Sequence, residues 1–134
     1  MAAIPLTEAA TNASEIEVPG ARTEPIRVMI VDDDPDIRAL LRALMEAEGF
    51  EVVAEVADGY EAVPEAMRTQ PDVVILDYMM PKLNGGEAAV FIRAVAPHAR
   101  IVAFSGVIGE SPEWADRFIQ KGELAKMIDL IAKR

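Results

Sequence analysis

Apolar and polar positions along this chain switch repeatedly between two periods. Residues 27–31, "RVMIV", form a short apolar run of the kind a strand shows when both its faces are buried. Ile37, Leu40, Leu41, Leu44 and Met45 then recur at i, i+3, i+4, i+7 and i+8, with Arg38, Arg42, Glu46 and Glu48 on the other faces. That is an amphipathic helix, and Gly49 is placed to end it in a left-handed cap. The alternation repeats as "FEVVAEVA" (strand), "YEAVPEAMRTQ" (helix), "DVVIL" (strand), "GEAAVFIRAVA" (helix) and "RIVAFS" (strand). A fifth strand is expected in "DRFIQK", and a last helix in "ELAKMIDLIAKR" with Leu124, Met127, Ile128 and Ile131 on one face.

Strand and helix in alternation imply right-handed crossovers and a parallel sheet covered on both sides, so the predicted class is open α/β. Two stretches depart from the pattern. Pro64 falls inside the second helical stretch, so that helix is expected either to kink or to start late. Between Ser105 and the fifth strand, "GVIGESPEWA" is punctuated by glycine and proline and leaves room for about one or two helical turns. The helix expected there is truncated or missing. Residues 1–26 carry Ala, Thr, Glu and Pro without a sustained apolar period and read as a disordered N-terminal tail, leaving residues 27–134 as one domain.

Charge and composition narrow the functional classes. The net charge is −10 and no basic stripe is visible, which argues against a nucleic-acid surface. There is no cysteine, which removes thiol nucleophiles and Cys-based metal sites. No apolar run reaches a membrane span, and the first residues lack the basic head and apolar centre of a secretion signal, so a cytoplasmic protein with no membrane partner is expected. On that basis the Asn12-Ala13-Ser14 glycosylation match is read as chance.

In open parallel sheets, ligands bind beyond the carboxyl ends of the strands. Here the first strand ends in Asp32 and Asp33, the third in Asp77 and the fourth in Ser105, while Lys121 follows the fifth. Three converging carboxylates need a counter-ion, and Mg²⁺ suits an all-oxygen site. Lys121 would offset a further charge and leave Asp77 able to attack a phosphoryl group, giving an aspartyl phosphate. Asp34 stands directly before Pro35 and is predicted to be a helix N-cap, with Asp36 in the first turn.

"VDDDPDIR", "VVILDYMMPKLNGGEA", "IVAFSG" and "DRFIQK" together resemble, in order and spacing, the receiver domain of two-component response regulators. The strongest piece is Asp77 followed by Met80, Pro81 and Gly85, with Asn84 at a position that varies between Asp and Asn. The resemblance implies a flavodoxin-like five-stranded parallel sheet of order 2-1-3-4-5, with helices on both faces. It implies Asp77 as phosphoacceptor, Asp33 as direct Mg²⁺ ligand, Asp32 as a second acidic partner and the Met79 backbone carbonyl as a further ligand. Ser105 takes the hydroxyl switch position and Phe118 the aromatic one. Implied partners are a histidine kinase or histidine phosphotransfer protein and a downstream protein. No DNA binding of its own is expected, since no second domain follows Arg134, and no catalysis beyond its own phosphorylation and dephosphorylation.

Two departures from the family pattern stand out. Gly122 follows Lys121 where many members have proline, and the Ser105 to Lys121 spacing is short by about the size of the missing helix. A non-switching interaction module therefore stands as an alternative. A haloacid dehalogenase-like phosphatase reading of Asp32 and Asp34 meets Asp36 where threonine or valine is needed, and the chain is too short for a cap domain. A calcium loop lacks its glycine and terminal glutamate. His98 is expected at the surface, Met79 and Met80 in loop packing, and Trp114 either filling the space of the short helix or anchoring a partner.

Overall fold

The computed structural model describes residues 24–80, 82–106 and 111–132. The predicted tail, up to residue 23, lies outside the described residues, as do the Asn12 sequon, Pro81 and residues 107–110 of the stretch before the fifth strand.

Five strands, β1 (Arg27–Val31), β2 (Glu51–Val56), β3 (Val73–Asp77), β4 (Arg100–Ser105) and β5 (Arg117–Gln120), form one parallel sheet of order 2-1-3-4-5. The helices are α1 (Pro35–Ala47), α2 (Gly59–Thr69), α3 (Gly85–Val95) and α4 (Ala125–Ala132), the last preceded by a 3₁₀ turn at Lys121–Glu123. Among the described residues no helix separates β4 from β5, in line with the shortened spacing. None of the described helices is long and apolar enough to cross a membrane.

The period-two alternation of each strand sorts its side chains between two cores. Met29, Val31, Val74, Leu76 and Ile101 pack under α2 and α3, where Ala62, Ala66, Ala88 and Ala89 are small enough for close approach. Val28, Ile30, Ile75, Val102, Phe104 and Ile119 pack on the other face against Leu41 and Met45 of α1 and Met127 and Ile131 of α4. β3 is buried along its whole length, so its terminal carboxylate, Asp77, is delivered into a place where charge is costly.

Local signals set the helix ends. Asp34 adopts an extended backbone and its carboxylate accepts from the Asp36 and Ile37 N–H groups, with Pro35 as the first helical residue, as predicted. Gly49 sits at φ +84°, in the left-handed region that ends α1. Asn84 and Glu87 form a reciprocal capping box at α3. Pro64 neither delays nor ends α2. The helix starts at Gly59, because Asp58 caps it through the Glu61 N–H, and carries the proline in its interior on a solvent-exposed turn. The missing N–H there removes one helical bond without burying the ring.

Candidate functional site

β1 and β3 are neighbours, and each ends in acid. Asp32 and Asp77 are almost wholly buried while Asp33 is exposed, yet one carboxylate oxygen from each lies within 4.8 Å of the others. Backbone geometry fixes Asp32 from several sides. Its N–H donates to the Val56 carbonyl at 3.2 Å, its carbonyl accepts from Arg38 at 2.6 Å, and its Oδ1 accepts from the Asp34 N–H at 2.9 Å. The other oxygen, Oδ2, has no hydrogen-bond partner although it is buried. What it has is the Lys121 ammonium, whose Nζ lies 3.0 Å away and makes an ion pair with it.

Lys121 reaches the site from the end of β5. Its Nζ is also 3.6 Å from Asp77 Oδ1 and 5.5 Å from the ring centroid of Phe104, a fully buried aromatic that gives the cation a polarisable wall. Burial pulls the lysine pKa down, but the close Asp32 contact and the charges of Asp77 and Asp32 outweigh it, so it ends above its ordinary value. Asp77 moves further. Burial first, then the Asp32 charge, push it up to about 7, against the pull of Lys121 and of the Met79 N–H, which donates to Oδ1 at 3.3 Å.

A divalent cation fits this donor set. Three carboxylates aimed at one point, with a single lysine as their cation and one buried oxygen lacking a hydrogen bond, leave uncompensated negative charge. Hard oxygen donors of this kind suit Mg²⁺.

The hydroxyl and aromatic candidates lie on a different side of the pocket. Ser105 is the buried last residue of β4, one position beyond Phe104, which pairs with Asp77. Phe118 pairs with Ala103, so alternation puts it on the same sheet face as Ser105, the face on which α2 and α3 pack and which no described helix covers beside β5. It is half-buried and borders an open groove with Arg117, Glu123, Lys126 and Leu130, outside the acidic cluster. Met79 is exposed in the loop after Asp77 and Met80 is packed into the core. His98 is exposed, as expected. Lys121 enters a trans peptide with Gly122, which opens the 3₁₀ turn. Sequence reasoning missed the lysine platform, Phe104, which reads only as one more apolar strand residue, and the contact between Tyr78 and Trp114.

Residues 28–133 match the family described as response regulator receiver domain. The chain belongs to that family. It is 37% identical over 81 residues to the chemotaxis protein CheY of Thermotoga maritima, covering 60% of this chain and 68% of that protein. It is 42% identical over 83 residues to the transcriptional regulatory protein PdtaR of Mycobacterium tuberculosis, covering 60% of this chain but only 40% of that longer protein. Its fold is similar to that of a CheX–CheY–BeF₃–Mg²⁺ complex from Borrelia burgdorferi, with a TM-score of 0.70 and 26% identity over 83% of this chain and 92% of that one. Receiver domains are the signalling modules of two-component systems, without a classical catalytic function. Phosphorylation on aspartate and Mg²⁺ binding at an acidic pocket are general to the family, and CheY-like members contact kinases and downstream proteins.

Proposed function

We propose that this receiver domain accepts a phosphoryl group onto Asp77 from a histidine kinase or histidine phosphotransfer protein and signals by protein contact or phosphorelay. The observation that carries this reading is the convergence of Asp32, Asp33 and Asp77 with the Lys121 ammonium at the carboxyl end of the sheet. In it, an Asp77 oxygen attacks phosphorus, the bond from phosphorus to the donor imidazole breaks, and its electron pair leaves with the imidazole. Asp77 must be ionised to attack, and with its pKa near 7 the carboxylate is about half protonated at neutral pH. Asp32, Asp33, Asp77 and the Met79 carbonyl would hold Mg²⁺, which supplies the positive charge that favours the ionised carboxylate and the transferring oxygens. Lys121 neutralises the remaining charge. Ser105 is assigned as the hydroxyl that reports the phosphoryl group and Phe118 as the aromatic that follows it, since both lie on one sheet face.

A cytoplasmic location and an output made through protein rather than DNA fit the net charge of −10. A second reading, a constitutive module that does not switch, is favoured by one observation: no described helix lies between β4 and β5 to be repositioned. Incubation with a small phosphodonor and Mg²⁺ separates the two. An acid-stable, base-labile adduct lost in Asp77→Asn supports the phosphoacceptor. No adduct in any variant, with partner binding undiminished, supports the constitutive module. An adduct that survives Asp77→Asn but vanishes in Asp32→Asn points to a phosphatase nucleophile instead.

A further inference from the structure

The segment between β4 and β5 is not loosely held where residues 111–116 are described. Asp116 Oδ2 accepts from the Ile101 N–H at 2.8 Å and from Arg93 at 3.2 Å, and the Asp116 N–H donates to the Ile101 carbonyl at 2.8 Å. Arg93 of α3 also donates to the Trp114 carbonyl at 2.7 Å. These bonds fix the backbone at Trp114 and just after it, and the indole lies at the start of α3. There it lies against two glycines. A Cβ on Gly85 would sit 3.1 Å from the indole Cη2, and one on Gly86 3.1 Å from Nε1. The ring also meets Tyr78, with centroids 5.7 Å apart and planes tilted by 53°. Tyr78 directly follows Asp77, and its carbonyl accepts from the Gly85 N–H at 3.2 Å.

The indole thus touches both ends of the loop that runs from Asp77 to α3, the loop that carries the Met79 N–H bonded to Asp77 Oδ1. We propose that Trp114 is a positioning residue for the acidic pocket, a latch that holds Tyr78 and Gly85, the two ends of the loop after Asp77, against residues 111–116 and links the pocket's occupancy to that stretch. The proposal rests on the reading of Asp32, Asp33 and Asp77 as a Mg²⁺ site. Its physical basis is preorganisation: a loop pinned at both ends loses less freedom when its backbone must face a cation. Linkage makes the effect reciprocal, so a cation that tightens the loop also alters the indole's surroundings.

Trp114 is the single tryptophan, so its emission during MgCl₂ titration reads the latch while calorimetry reads binding independently. The expected result is an emission change that saturates at the calorimetric dissociation constant and is absent in Asp33→Ala. Trp114→Ala should weaken Mg²⁺ binding by about fivefold or more, and Trp114→Phe should recover most of the loss. Gly86→Ala provides the test that does not depend on losing a large side chain. It improves helix propensity while its methyl crowds the indole, so it should shift the emission and weaken Mg²⁺ binding without lowering the urea midpoint. Wild-type Mg²⁺ affinity in both Trp114→Ala and Gly86→Ala, or silent emission while calorimetry records binding, overturns the latch and leaves the metal site standing. No Mg²⁺ binding to the wild-type chain overturns the metal site and the latch together.

Discussion

Lys121 Nζ lies 3.0 Å from Asp32 Oδ2, an oxygen that receives no hydrogen bond and belongs to a carboxylate only 1% exposed. Asp77, also buried, lies 3.6 Å from the same ammonium. One lysine therefore balances two buried carboxylates in the absence of a metal. Removing one partner of a buried pair leaves the other charge uncompensated, which is costlier than never having buried the pair. Lys121→Met should destabilise the metal-free protein by about 3 kcal/mol at pH 8, read as a fall in the urea midpoint, and saturating Mg²⁺ should restore part of it. An unchanged midpoint would mean that water already balances the pocket.

The raised pKa of Asp77 sets a pH window for stability. Its ordinary value is 3.8 and its value here is about 7, chiefly through burial and then the Asp32 charge. Between those values the folded protein keeps a proton that the unfolded chain has released. The stability associated with Asp77 is thus fully present below 3.8 and lost as pH rises through about 7. The total is up to about 4 kcal/mol. Urea denaturation in chelator should show this decline in the wild-type chain and a flatter profile in Asp77→Asn, whose amide has no charge to desolvate. Mg²⁺, which selects the ionised form, should restore part of the lost stability at pH 7 and above. Parallel slopes for the two proteins would mean that another group dominates.

The acidic run from Asp32 to Asp36 divides between chemistry and folding. Asp33 contributes an oxygen to the cluster, whereas the Asp34 carboxylate turns to the first N–H groups of α1 at 2.9 and 3.5 Å. What Asp34 offers the pocket is its backbone N–H, bonded to Asp32 Oδ1, and alanine keeps that. Asp34→Ala should cost roughly 0.5–2 kcal/mol of stability and leave Mg²⁺-dependent phosphorylation largely intact. Asp33→Ala should abolish phosphorylation at nearly unchanged stability. Loss of the adduct in folded Asp34→Ala would show that the N-cap side chain also serves the site.

What was legible in the chain was what local spacing encodes. β4 occupies the predicted "RIVAFS" run, Asp34 caps α1, and the strand ends deliver Asp32, Asp77 and Lys121 to one place because a parallel sheet puts all its carboxyl ends on one edge. α2 was harder, since Pro64 signals a break while Asp58 and Glu61, earlier in the chain, had already set the helix start. The remaining features depend on contacts between distant residues. Phe104 is an ordinary strand residue until Lys121 is laid beside its ring. Trp114 was placed as filler or anchor, but its seat on Gly85 and Gly86 requires the fold. No periodicity reports a contact made across such a separation.

Gly85 and Gly122 flank the site and should respond oppositely to the same methyl group. A Cβ at Gly85 would lie 2.7 Å from the Asp77 carbonyl oxygen, a backbone atom held in β3 that cannot step aside, and would press on the Trp114 ring as well. Gly85→Ala should therefore destabilise by about 1–3 kcal/mol and disturb the strand that carries Asp77, visible as slower phosphorylation by a small phosphodonor. At Gly122 a Cβ meets nothing within 4 Å and φ lies outside the left-handed region. The residue sits in the 3₁₀ turn after β5, so alanine restricts the unfolded chain more than the folded one. Gly122→Ala should stabilise by about 0.4–1 kcal/mol with the phosphorylation rate unchanged. If Gly122→Ala instead slows phosphorylation, the turn beside Lys121 must open for phosphoryl transfer, and its glycine serves motion rather than space.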